Sequence, residues 1–84
     1  ELLRIAAAGI RTWKALITQT VKAGQHSGAI RSDALPSAVA NQIIASLEGA
    51  LLICRIEKNR QPLHDARTAL HQLLKDLQPT PSAS

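Results

Sequence analysis

Apolar residues recur along the chain at spacings of three and four in three stretches separated by two polar breaks. That period marks one face of an α-helix. In the first stretch, about Leu2 to Ala23, positions Leu3, Ile10, Trp13, Leu16, Ile17 and Val21 make the apolar face. Arg11, Lys14, Thr18 and Lys22 fall mainly on another face. Gly9 lies inside this run at a cost of about 1 kcal/mol against alanine, so it permits a close contact or marks a bend. Gly24 offers a C-terminal stop, because glycine accepts the left-handed conformation that ends many helices.

Gln25 to Leu35 reads as a connection rich in turn formers (His26, Ser27, Gly28, Ser32, Asp33), with Ala29 and Ile30 tucked down as anchors. Pro36 opens a second helix, since proline loses nothing at a first helical position. From Pro36 to Arg55 this helix is apolar around almost its whole circumference. Ile43, Leu47, Ala50 and Cys54 form one stripe, Ile44, Leu51 and Leu52 a second, and Ala45, Gly49, Ile53 and Ile56 a third. Glu48 and Arg55 interrupt the second stripe. After a short polar turn, Asn59 to Gln61, Pro62 starts a third helix that runs to about Leu77 with a seam of Leu63, Ala66, Leu70, Leu73, Leu74 and Leu77. Asp65 near its start and Lys75 near its end suit the helix dipole. The turn is short, so helices two and three are expected to be antiparallel neighbours. No run alternates long enough to argue a strand, so the expected class is all-α.

A surface helix buries one stripe, whereas a helix apolar all round is covered on several sides. A chain of 84 residues supplies one domain at most, here residues 1–77, with a Pro/Ser-rich tail expected to be disordered over 78–84. Three helices cannot easily cover three stripes, which points to association. Gly49, with Ala45 four residues before it and Ala50 beside it, gives a flat patch for close approach of another helix.

Composition narrows the chemistry. The one cysteine, Cys54, excludes an intrachain disulfide and fits a reducing, cytoplasmic setting. There is no signal peptide pattern and no charge-free apolar run of about 18 residues, so no membrane span is expected. The net charge of +4 comes from scattered basic residues, densest at Arg55, Lys58 and Arg60 around Glu57. With Trp13 as the single aromatic, this resembles a solvated basic surface more than a base-reading stripe. There is no phosphate-binding glycine loop and no acid–base carboxylate pair. Glu48 is the acid expected to be buried, with Arg55 seven residues on, or a group across an interface, as its partner. His64 and His71 share a face but stand about 10 Å apart along the axis, too far to chelate one metal; His26 is a loop residue without an evident partner. Cys54 reads as a small core residue, and Trp13 as a core anchor or a ligand-stacking residue.

Ala40 to Arg55 (ANQIIASLEGALLICR), then a polar turn and Pro62-Leu63, closely resembles the last two helices of TetR-type transcriptional repressors. Trp13 and then Ala23, Gly28, Ile30 and Asp33 upstream fit the same pattern, so the resemblance covers about Leu2 to Leu77. Leu47-Glu48-Gly49-Ala50 is its most specific part. The resemblance implies a C-terminal domain that binds a small hydrophobic effector and dimerises through a four-helix bundle made by the last two helices of each copy. It implies operator binding only through a helix-turn-helix domain that this sequence does not contain, and no catalysis. No cofactor is expected other than an unidentified effector. Position assigns the effector pocket to Trp13, Ile17, Ile43 and Leu47. It assigns the homodimer interface to Ile44, Glu48, Leu51, Leu52 and Arg55 with Arg67, Leu70, His71 and Leu74. A free-standing helical module that grips a partner helix is the alternative, and a small enzyme ranks last.

Overall fold

A computed structural model describes residues 2–79. Three α-helices follow one another: α1 (Leu2–Ser27), α2 (Pro36–Glu57) and α3 (Gln61–Asp76). The class is all-α as expected. Of the tail expected over 78–84, positions 80–84 lie outside the described residues.

Helix α2 packs against α1 on one side and α3 on the other, and α1 and α3 do not pack on each other. The molecule is a slab of 50 × 29 × 13 Å. A helix with its side chains is about 10–12 Å across, so the slab is little more than one helix deep. Three helices in a row leave two broad open faces, whereas a triangular bundle would close a core between them.

The core sits at one end of the slab. Val21, Val39 and Leu77 form a buried cluster on which Ile17, Ile30, Ala34, Ile43 and Leu73 pack. Leu77, just past α3, joins Val21 of α1 and Val39 of α2 in this cluster. The connection between α1 and α2 closes this end. Helix α1 passes through Gly24 and stops three residues later. Gly28 takes the left-handed turn at φ 87°. The N–H of Ala29 donates to the Gly24 carbonyl at 2.8 Å and that of Gly28 to the Gln25 carbonyl at 3.2 Å, closing the last turn. Gly24 serves another purpose. A Cβ there would stand 2.5 Å from Cδ1 of Ile30, so the missing side chain lets Ile30 fold onto the helix. Ile30 is thus an anchor, while Ala29 is exposed.

Polar contacts fix the same end. The Gln25 side-chain amide donates to the carbonyls of Arg31 (2.9 Å) and Ala34 (2.7 Å). The Arg31 N–H donates to the Leu77 carbonyl at 2.8 Å, and its guanidinium donates to the Asp76 carbonyl at 3.3 Å. The same guanidinium grips Asp33 with two hydrogen bonds of 2.9 and 2.8 Å. These bonds from Arg31 hold the Asp33 carboxyl below its ordinary pKa.

The turn between α2 and α3 is tight. Lys58 takes the left-handed conformation (φ 53°, ψ 47°) that ends α2, and the Asn59 side-chain oxygen accepts the Gln61 N–H at 3.0 Å to start α3. Only three residues join the helices, which makes them antiparallel neighbours.

Among the described residues, helix α2 is the one long and apolar enough to cross a membrane by length and composition. This differs from the expectation, which took its charged residues as disqualifying. The two helices packed beside it bury Val39, Ala40 and Ile44 but leave Leu51, Leu52, Ile53 and Ile56 exposed, and length and composition by themselves do not separate a membrane span from a core helix.

Candidate effector cleft and association seam

More large apolar side chains are exposed than buried among the described residues. On α1, Ile5, Ile10, Trp13 and Leu16 are all exposed, while Ile17 and Val21 from the same face reach the core. Of the described side chains on the apolar face of α1, those that reach the core lie at its C-terminal end. Trp13, at 49% exposure, is not a core anchor.

Ala6, Gly9, Ile10 and Trp13 stand at helical spacings of three and four, and with Thr12 and Glu48 they line an open cleft of about 460 Å³. Nothing lies within 4 Å of where a Gly9 Cβ would be, so Gly9 makes no close helix contact in the chain and its bare backbone lines the cleft. The Thr12 hydroxyl is turned back to donate to the Ala8 carbonyl at 3.0 Å. The wall is thus mostly apolar, with one indole and one carboxylate.

A second hollow, of about 240 Å³ and almost wholly apolar, lies over the core end. Leu16, Ile17, Thr20 and Val21 of α1 line it with Ile30, Val39, Ile43, Leu74 and Leu77. The Thr20 hydroxyl donates to the Leu16 carbonyl at 2.8 Å, which removes its polarity from the wall. The four residues assigned to one effector pocket are therefore divided. Trp13 lies in the cleft, Ile17 and Ile43 in the hollow, and half-buried Leu47 lines neither. Ala6, Gly9, Ile10 and Thr12 are not among the residues that position assigns to a pocket; the spacing of Ala6, Gly9 and Ile10 from Trp13 carries the signal, whereas Thr12, adjacent to Trp13, has none.

The residues assigned to an interface also separate. Glu48, Gly49, Leu51, Leu52 and Arg55 line a groove of about 370 Å³ along the C-terminal half of α2. Ile44 is already buried within its own chain at 6% exposure and offers little surface to a partner. On α3, Arg67 and His71 are exposed, Leu70 is half-buried, and Leu74 faces the apolar hollow. Glu48 is exposed, contrary to the expectation of burial, and no hydrogen bond or ion pair joins it to Arg55. Cys54 is half-buried in the helix. Among the described residues no group of three or more histidine, cysteine or acidic side chains gathers to hold a metal.

A family model described as the tetracyclin repressor-like C-terminal domain matches residues 2–70. The chain belongs to this TetR-type family. A similar protein is the HTH-type transcriptional repressor DhaR of Mycobacterium sp. (strain GP1), 38% identical over 74 residues. The match covers 88% of this chain and 35% of the relative, so the chain spans about a third of that protein's length. No solved structure matches. Membership agrees with the resemblance carried by Ala40 to Arg55, and both comparisons point to a transcriptional regulator's domain rather than an enzyme.

Proposed function

We propose that this TetR-type domain senses a small apolar effector and forms a homodimer within a cytoplasmic transcriptional repressor. The observation that carries the reading is the exposed apolar surface on α1 and on the C-terminal half of α2, in a slab one helix deep. Isolated exposed leucines are ordinary, but contiguous apolar faces mark binding surfaces. The relative's role as a repressor supports placing those surfaces in effector binding and subunit association.

Glu48 lines both the cleft against α1 and the groove along α2. An effector filling the cleft beside Trp13 would act on the same turn of α2 that meets the second copy. Binding would thereby bias how the two copies sit, and so the spacing of DNA-reading heads elsewhere in the repressor, which must match operator half-sites. Linkage of this kind is typically worth about 1–3 kcal/mol.

The cleft can be tested with the apolar dye Nile red, following energy transfer from Trp13. Saturable binding is expected, weakened at least tenfold by Gly9→Leu, which places a side chain in the cleft. Binding with unchanged affinity in Gly9→Leu would contradict the assignment of the cleft.

A further inference from the structure

We propose that α2 pairs with α2 of a second copy across a two-fold axis between Leu51 and Leu52, with Glu48 of each copy paired to Arg55 of the other. This rests on the homodimer reading above and specifies its register.

The inference starts from spacing. Glu48 and Arg55 are seven residues apart, two helical turns, so they share a face about 10.5 Å apart along the axis. Leu51 and Leu52 stand between them, three and four residues from each end. The pattern is its own reverse with the sign of the charge inverted. A two-fold axis perpendicular to a helix reverses its direction, so residue 48 then faces residue 55 of the second copy and Leu51 faces Leu52. An isologous interface has to be complementary to itself, and this patch is.

The structure leaves these side chains available. Glu48 and Arg55 are exposed, Leu51 and Leu52 are 41% and 58% exposed, and all four line one groove. Within the chain neither charged group has a hydrogen-bond or ion-pair partner among the described residues. A Cβ at Gly49 would meet nothing within 4 Å, so the space beside it is open to an incoming helix. The register also has limits that fit. Ile44 would face position 59, beyond the end of α2, which agrees with its burial inside its own chain. An axis at Glu48 or at Arg55 would instead bring like charges together. The leucines supply the apolar contact and the charges select register and partner.

Charge exchange tests the pairing on the full chain. In E48K the introduced lysine faces Arg55 of the second copy twice over; in R55E two carboxylates face each other twice. Each variant alone is expected to dimerise at least tenfold more weakly than wild type, with helicity retained because both residues are exposed. Mixing the two variants restores both pairs, so native mass spectrometry is expected to show heterodimer well above the statistical half. The double variant E48K/R55E restores both pairs within a homodimer and is expected to associate near the wild-type level. Salt should narrow these differences. A wild-type dimer whose single variants associate equally well and mix statistically would overturn the pairing while leaving the dimer intact. Failure of the double variant to regain association would also overturn it. A wild type that stays monomeric would remove the homodimer reading and the pairing together.

Discussion

The two halves of α2 are built from similar apolar residues and have opposite surroundings. In the N-terminal half, Val39, Ala40 and Ile44 are buried and Ile43 packs on the core cluster. In the C-terminal half, Leu51, Leu52, Ile53 and Ile56 are exposed, Ile56 at 71%. The difference lies in what the neighbours do. The connection after α1 and the end of α3 converge on the first half, tied by Gln25 and Arg31. Nothing comparable gathers at the other end among the described residues. The chain's own packing is therefore concentrated at one end, and apolar side chains at the other are left uncovered by the chain itself. Leaving Leu51 and Leu52 in water forgoes about 25 cal/mol for each Å² of apolar surface that a partner could cover.

Substitutions at the two ends should separate stability from association. At the closed end, Leu77→Ala removes a buried side chain from the cluster it forms with Val21 of α1 and Val39 of α2. A loss of about 2–4 kcal/mol is expected, large for a domain of this size, and urea unfolding at fixed protein concentration would measure it. At the open end, Gly49→Leu should leave the fold of one chain intact, because no atom lies within 4 Å of the new Cβ. Association should weaken about tenfold, or about 1.4 kcal/mol, as read by dilution in the ultracentrifuge.

Smaller effects test the local geometry. Lys58→Gly should stabilise by about 1 kcal/mol, because only glycine takes the left-handed conformation without a Cβ penalty. Thermal melts would show it as a raised midpoint. Arg31→Ala should have the smallest effect, since the guanidinium and Asp33 are solvent-exposed and such pairs contribute little. Its signature is pH dependence. Asp33 has a folded pKa below its unfolded value, so its contribution is present above the unfolded carboxylate pKa and is lost as pH falls through the folded one. Acid titration of stability should lose that component in Arg31→Ala.

Much of this organisation was legible in the residues. Pro36 and Pro62 announced two helix starts, with α3 beginning one residue earlier at Gln61. The full apolar circumference of α2 announced that one chain would not cover it. What the sequence did not show follows from tertiary packing. Gly24 looked like a stop but is a seat for Ile30, because the close approach comes from a residue six positions on. Trp13 shares a periodic face with Ile17 and Val21, yet those two reach the core and Trp13 does not. Periodicity gives the direction of a face and not how far a neighbouring helix follows it. For the same reason Glu48 was expected to be buried, and the stripe that contains it turns from buried at Ile44 to exposed at Leu51 and Leu52.

The most direct measurement is the mass of the chain in solution over a wide concentration range, by sedimentation equilibrium. The account expects a species of twice the 9.0 kDa chain mass, dissociating more readily in Gly49→Leu. A 9.0 kDa monomer at every concentration would contradict the claim that a second copy covers the bare half of α2.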